Sequence, residues 1–144
     1  MCIIIDANVG NEFGPLTDDA RCVYEWLIAG GRVATGGRLK TELLRTKFRN
    51  LYQPLLLAGR LLEYANNEVS QIENELRQGN TCTSDDPHII ALARVSDSRT
   101  LFSRDVDLHA DFCSRMLRRP RGRVYQNRSH QHLLRTARKC RDPQ

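Results

Sequence analysis

A three-layer α/β/α sandwich around a central, mostly parallel sheet is the fold this sequence predicts, and three observations point to it. The opening run Cys2-Ile3-Ile4-Ile5 is wholly apolar, rich in β-branched residues and stopped by Asp6, the pattern of a strand buried on both faces. Further short apolar runs alternate with amphipathic helical segments, the order that right-handed parallel crossovers require. The chain has 144 residues, 40% hydrophobic and 27% charged, which suits one core, so residues 1–144 are expected to form a single domain.

The elements follow in order. After the first strand, 2–5, and a loop with Gly14-Pro15, Thr17 can cap a helix over 18–29 that places Ala20, Val23, Tyr24 and Leu27 on one face. Gly30-Gly31 stops it. A second strand is expected at 32–35, then Gly36-Gly37 and a helix carrying Leu39, Glu42 and Leu43, extending as far as Phe48. The spacing predicts a helix over 52–62 with Pro54 in its first turn, a short polar helix over 69–77 and a loop over 78–83. Ser84 can cap the next helix, with Asp85 and Asp86 in its first turn and Ile89, Ile90, Leu92 and Ala93 packing inward. A strand at 100–103, a turn at 104–107, a helix over 108–117, a last strand at 122–126 and a helix over 132–139 complete the chain.

Several classes are excluded by what is missing. No apolar run approaches the roughly 20 residues of a bilayer helix, and the first residues lack the basic and apolar regions of a secretory signal, so neither a membrane partner nor conventional export is expected. The five cysteines, Cys2, Cys22, Cys82, Cys113 and Cys140, are scattered without CxxC or paired Cys/His spacing. They read as reduced thiols of a cytoplasmic protein, Cys2 and Cys113 as buried ones, with no disulfide or zinc framework.

Charge is unevenly placed. Residues 1–113 hold 12 Lys and Arg against 16 Asp and Glu, a balance of −4, whereas 114–144 hold 10 against Asp142 alone, a balance of +9. A cationic segment of this kind suits a polyanion, with nucleic acid first, because each phosphate paired with Arg or Lys releases counterions. Arg118, Arg119, Arg121 and Arg123 surround Pro120 and Gly122 with Tyr125 beside them, a combination of phosphate contacts and an aromatic that can stack on an unpaired base. The bland alternatives are a solvated tail and, at 123–125, an edge strand with alternating exposure.

Ligands of open parallel sheets sit outside the carboxyl ends of the strands. Asp6 follows the first strand, Asp105 follows the strand at 100–103, Asp85-Asp86 opens a helix aimed at the same edge, and Glu42 lies one turn into the helix after the second strand. Four carboxylates gathered there would repel one another unless a cation intervened. Oxygen-only donors favour a hard ion, Mg²⁺ or Mn²⁺. His88, two residues past Asp86 on one helix, is expected to face elsewhere as a packing or surface histidine, and His130 and His132 have no nearby acid or cysteine to complete a site.

These segments, IIIDANV at 3–9, LKTEL at 39–43, SDDPHIIALA at 84–93 and LFSRDVDL at 101–108, resemble in order and spacing those of the PIN domain, a metal-dependent ribonuclease family. The resemblance frames residues 2–112. It implies that Asp6, Glu42, Asp86 and Asp105 hold the metal and carry catalysis, with Asp85 and Asp107 as further acids, and that Asn8 and Ser103 orient the site. It implies hydrolysis of RNA by in-line attack of water. Many small members of the family are VapC-like toxins silenced by an antitoxin, and members often form homodimers, so both partners are expectations here. The stretch 66–83 and the basic end beyond Arg115 match no part of the family's pattern.

Taken singly, each acid also has an ordinary reading. Asp6 can cap a turn, Asp85 and Asp86 can gain from a helix dipole, and Asp107 can cap the next helix. The competing function is a catalytically silent PIN-like module that binds RNA or a protein. A phosphatase of the haloacid type or a response-regulator receiver fits less well: Asp6-Ala7-Asn8 lacks the second aspartate of a DxD nucleophile pair, and the first strand lacks a receiver's acidic pair.

Overall fold

In the computed structural model, which describes residues 1–143, five strands form one sheet: Cys2–Ile5 (β1), Arg32–Gly36 (β2), Leu61–Tyr64 (β3), Thr100–Phe102 (β4) and Arg123–Tyr125 (β5). Their order is β3-β2-β1-β4-β5, and every neighbouring pair is parallel. Helices Asp18–Ile28 (α1), Gly37–Leu44 (α2), Arg49–Leu57 (α3), Asn66–Gly79 (α4), Pro87–Ser96 (α5), Val106–Phe112 (α6) and His132–Arg135 (α7) make the connections and flank the sheet. The fold is therefore the α/β class expected.

The order decides where a ligand can sit. From β1 the chain steps outward through β2 to β3, then returns past β1 to β4 and β5, so the direction of travel reverses between β1 and β4. That switch opens a crevice at the carboxyl ends of the strands. All four residues of β1 are buried, as a central parallel strand requires. α5 is buried on nearly every side, from Pro87 to Ala93, and packs against α4, β2 and β3, which explains its continuous apolar run.

Local chemistry sets the boundaries. Thr17 caps α1, its hydroxyl accepting from the Ala20 amide at 3.3 Å. Gly36 lies at φ +156° with room for no side chain: a Cβ there would fall 2.7 Å from the Tyr64 carbonyl of β3. The Gly37 amide donates to Asn66 Oδ1 at 2.9 Å, so α2 starts tight against the top of β2 and β3.

Several boundaries differ from those the sequence predicts. The helix expected over 52–62 is α3, starting at Arg49, followed by a strand. Pro54 stands in its interior rather than its first turn, the helix closes at Ala58, and Gly59 at φ +71° turns the chain into β3. Leu61 and Tyr64 of β3 are buried while Leu62 and Glu63 are half-exposed, as befits an edge strand. Phe48 lies outside α2, buried just ahead of α3. The polar helix runs longer, Asn66–Gly79, and ends on Asn80 in the left-handed conformation. Helix α5 starts at Pro87 with Asp86 as its cap residue, so Asp85 and Asp86 precede the helix, and Ser84 Oγ accepts from the Asp86 amide at 3.3 Å. Asp105, not Asp107, caps α6, which ends at Phe112; α7 ends at Arg135.

The cysteine expectation is overturned. Cys2 and Cys140, 138 positions apart in the sequence, form a disulfide with Cα atoms 5.5 Å apart, and Cys113 is exposed rather than buried. The Cys2 amide also donates to the Arg138 carbonyl, and the Arg141 amide to Ser96, each within 2.9 Å. The C-terminal segment is thus stitched to the amino end of β1, opposite the crevice. Spacing along the chain could not show a pairing made by closure of the fold on itself.

Candidate metal centre

Asp6 leaves β1 at the crevice, where its amide donates to the Phe102 carbonyl at the end of β4. Its carboxylate is 6% exposed. The Ser103 hydroxyl donates to Asp6 Oδ2 at 2.7 Å and accepts from the Asp105 amide at 3.0 Å, so one serine ties the two acids of adjacent strands together. Asn8 contributes its backbone amide, 3.4 Å from Asp6 Oδ1, while its side chain is exposed. Asp105 spends Oδ1 on the amides of Asp107 and Leu108, leaving Oδ2 without a hydrogen-bond partner among the described residues. Asp85 and Asp107 are exposed on the rim.

Across the crevice, Glu42, Asp86 and His88 each present a donor atom, and the three atoms lie within 4.8 Å of one another. His88, which the sequence reading turned away from the site, is 2% exposed and directs Nε2 at Glu42 Oε1, 2.7 Å away. Its Nδ1 is buried, has no hydrogen-bond partner and stands 4.0 Å from Asp86 Oδ1. The expectation failed because it assumed a shared helical register. Asp86 is a cap residue at φ −118°, ψ 53°, so helical spacing does not govern the Asp86–His88 relation. Among these acids, Glu42 is paired with an imidazole, a partner that its apolar neighbours Leu39 and Leu43 could not offer.

The electrostatics link both sides of the crevice. Burial pushes the Asp6 carboxyl above its ordinary value, and the charge of Asp86 adds to the rise against the lowering by Ser103 and Asn8. Burial likewise raises Asp86, with Glu42, Asp105 and Asp85 reinforcing it and His88 opposing. Carboxyls raised in this way are ones whose ionised forms lack a compensating cation. The orphaned Nδ1 of His88, the unpartnered oxygen of Asp105 and the raised carboxyls of Asp6 and Asp86 fit a divalent ion. The oxygen-only expectation left out His88, whose ring stands against Glu42 and Asp86 within the same cluster.

The walls of the crevice are braced by residues that sequence reasoning missed. Asp111, 2% exposed, accepts from the amides of Thr83 at 2.8 Å and Ser84 at 2.9 Å, fixing the loop that delivers Asp86. Arg104 donates to both oxygens of Glu12 at 2.7 Å, to Asp19 at 2.9 Å and to the Gln126 carbonyl at 2.9 Å, and it holds the Glu12 carboxyl below its ordinary value. No local spacing announces either role, because their partners come from 22 or more positions away.

The basic cluster is divided by the fold. Arg118 is buried, donates to the carbonyls of Ser98 and Pro120, stacks 4.9 Å above the Phe112 ring, and has its pKa pulled down by burial to about 10. Tyr125 is fully buried, its hydroxyl donating to the Asp19 carbonyl at 2.7 Å. Both are structural, with no face left for phosphate or base. Arg119, Arg121 and Arg123 remain exposed. His130 and His132 stack edge to face at 6.4 Å, and His130 Nδ1 accepts from the Gln126 amide.

The fold has a counterpart among solved structures. The fold is similar to a chain of VapBC2 from Rickettsia felis, a complex solved bound to a DNA fragment from their promoter, with a TM-score of 0.50 and 15% identity over 86% of this chain and 97% of that one. The likeness is one of fold. No protein-family model and no curated protein matches this sequence. Among the described residues, no helix is long and apolar enough to cross a membrane.

Proposed function

We propose that this chain is a metal-dependent endoribonuclease. The observation that carries the reading is the convergence of Glu42, Asp86 and His88 within 4.8 Å, beside an Asp6 whose carboxyl feels the charge of Asp86. Asp6, Asp86, Asp105 and Glu42 would hold Mg²⁺ or Mn²⁺. When bound, such an ion supplies charge that acidifies water and offsets the negative charge building on a scissile phosphate.

The chain's own residues do the positioning. Ser103 locks the Asp6 carboxylate in one rotation, and its contact to the Asp105 amide couples the two acids. His88 holds Glu42 at the crevice, where a carboxylate can take a proton from an attacking water. The buried wall of β1 and α5 keeps the local dielectric low, which strengthens each of these interactions. The fold likeness to a VapBC2 chain supports a toxin role and, with it, an antitoxin as protein partner.

A silent binding module is the second reading, and one contact favours it: the His88–Glu42 pair already engages one acid of the site. The experiment that separates them is cleavage of a labelled single-stranded RNA with Mn²⁺ or with EDTA. The nuclease reading expects cleavage only with the ion, and a loss of at least about 100-fold in Asp86→Asn and Asp105→Asn, the scale seen when a metal site is disrupted. Equal activity of wild type and variants, or RNA bound but never cut, contradicts it.

A further inference from the structure

The arginines left exposed by the fold do not surround the carboxylates. Arg99, Arg121, Arg123 and Arg138 line a groove of about 570 Å³ together with His132. Arg99 immediately precedes β4, the Arg123 amide donates to the Arg99 carbonyl, and Arg138 is held to the amino end of β1 by Cys2, so the groove opens at the end of the sheet away from Asp6. No acidic residue lines it. Among the described residues Arg121, Arg123 and Arg138 make no ion pair, and Arg99 has only Asp97 at 3.8 Å, its buried Nε lacking any partner.

The groove continues toward the carboxyl end of β5. A second depression of about 390 Å³ shares Arg121, Arg123 and His132 with it and continues to Gln126, His130 and His109. His109 donates from Nε2 to the carbonyl of Ser103, the serine that bridges Asp6 and Asp105. Both depressions follow β5, which pairs with β4 alone and forms the open edge of the sheet. A trough therefore runs about 10 Å along this three-residue strand, from four arginines to His109, which is hydrogen-bonded to the serine that contacts Asp6 and Asp105.

We infer that this trough binds the phosphodiester backbone of single-stranded RNA, with the arginine groove holding a flank of the strand whose other part reaches the carboxylates. Guanidinium forks suit phosphate oxygens, and a positive groove that tracks a backbone is the design of sequence-tolerant single-strand binding. An acidic protein suits it less, because apolar lining of the groove amounts to Leu133 and Pro120, without the aromatic anchors on which protein interfaces depend. The inference rests on the proposed ribonuclease reading only for what happens at the far end of the trough, and binding is tested with that end disabled.

The test is fluorescence anisotropy of a labelled oligo-uridine in EDTA, titrated at several salt concentrations, with labelled polyglutamate as the competing probe. Replacing Arg121, Arg123 and Arg138 by Ala is expected to reduce the slope of log affinity against log salt by about 2, since each phosphate contact to a single strand contributes about 0.7. The Lys triple variant should keep most of the slope, and Arg21→Ala with Arg49→Ala, both outside the groove, should keep all of it. A slope unchanged in the Ala variant, or a groove dependence seen with polyglutamate and absent with RNA, overturns the inference. Single Ala replacements give the same reading stepwise should the triple variant fold poorly. Absence of Mn²⁺-dependent cleavage by the wild-type chain, with groove binding intact, would count against the nuclease reading alone.

Discussion

Asp6 and Asp86 are held above their ordinary pKa by burial first, and then by the charge of Asp86 on Asp6 and of Glu42, Asp105 and Asp85 on Asp86, so their ionised forms oppose folding of the metal-free chain. For a carboxyl whose folded pKa is raised, the penalty is fully present above that pKa and disappears as the pH falls below the unfolded value. Asp6→Asn should therefore stabilise the metal-free protein at neutral pH by about 1 kcal/mol while abolishing its response to Mn²⁺. Thermal melts with and without the ion check both halves, and the wild-type shift should be large near pH 8 and vanish as acid protonates the pair. A variant less stable than wild type, or still responsive to Mn²⁺, would contradict the account. At this scale the positions of Asp6, directly after an apolar run, and Asp105, just past the strand at 100–103, were legible as strand ends. His88 was not, since its relation to Asp86 depends on a cap conformation that no spacing encodes, and Arg118 and Tyr125 were misread because burial, invisible in a local motif, turned both inward.

Among the elements, the loop before α5 matters most, because it delivers Asp86 without being part of any strand or helix. Its amides at Thr83 and Ser84 are both satisfied by Asp111 of α6. Asp111→Ala should cost about 2 to 3 kcal/mol in urea unfolding, the range for buried hydrogen bonds to a charged acceptor, and should weaken Mn²⁺ binding although both Asp111 oxygens are engaged by backbone amides. Unchanged metal affinity would show that the loop is positioned by other means. Four of the five strands could be read from apolar runs bounded by glycine or polar residues. The fifth, β3, was read as helix because LLLAGRLLEY carries leucines at spacings that serve either form, and only pairing with β2 decides between them.

Across the whole molecule, charge and covalent closure are organised about the two ends of the sheet. The carboxyl ends carry the acids, while the amino ends carry the arginine groove and the stitched C-terminal segment. The +9 balance of residues 114–144 was legible as an excess, but its position behind the sheet followed only from the chain's return to β1. The Cys2–Cys140 bond closes nearly the full chain, so reduction should lower stability by about 2 to 4 kcal/mol, measured by urea unfolding with and without dithiothreitol. No difference between the two curves would mean that hydrogen bonds alone hold the segment. A cation bound among Asp6, Glu42, Asp86 and Asp105 is tested most directly by anomalous diffraction from a crystal soaked in Mn²⁺, collected at the manganese edge. It should give a peak in the crevice in contact with Asp86, lost in Asp86→Asn; an empty crevice, with manganese elsewhere or nowhere, would contradict it.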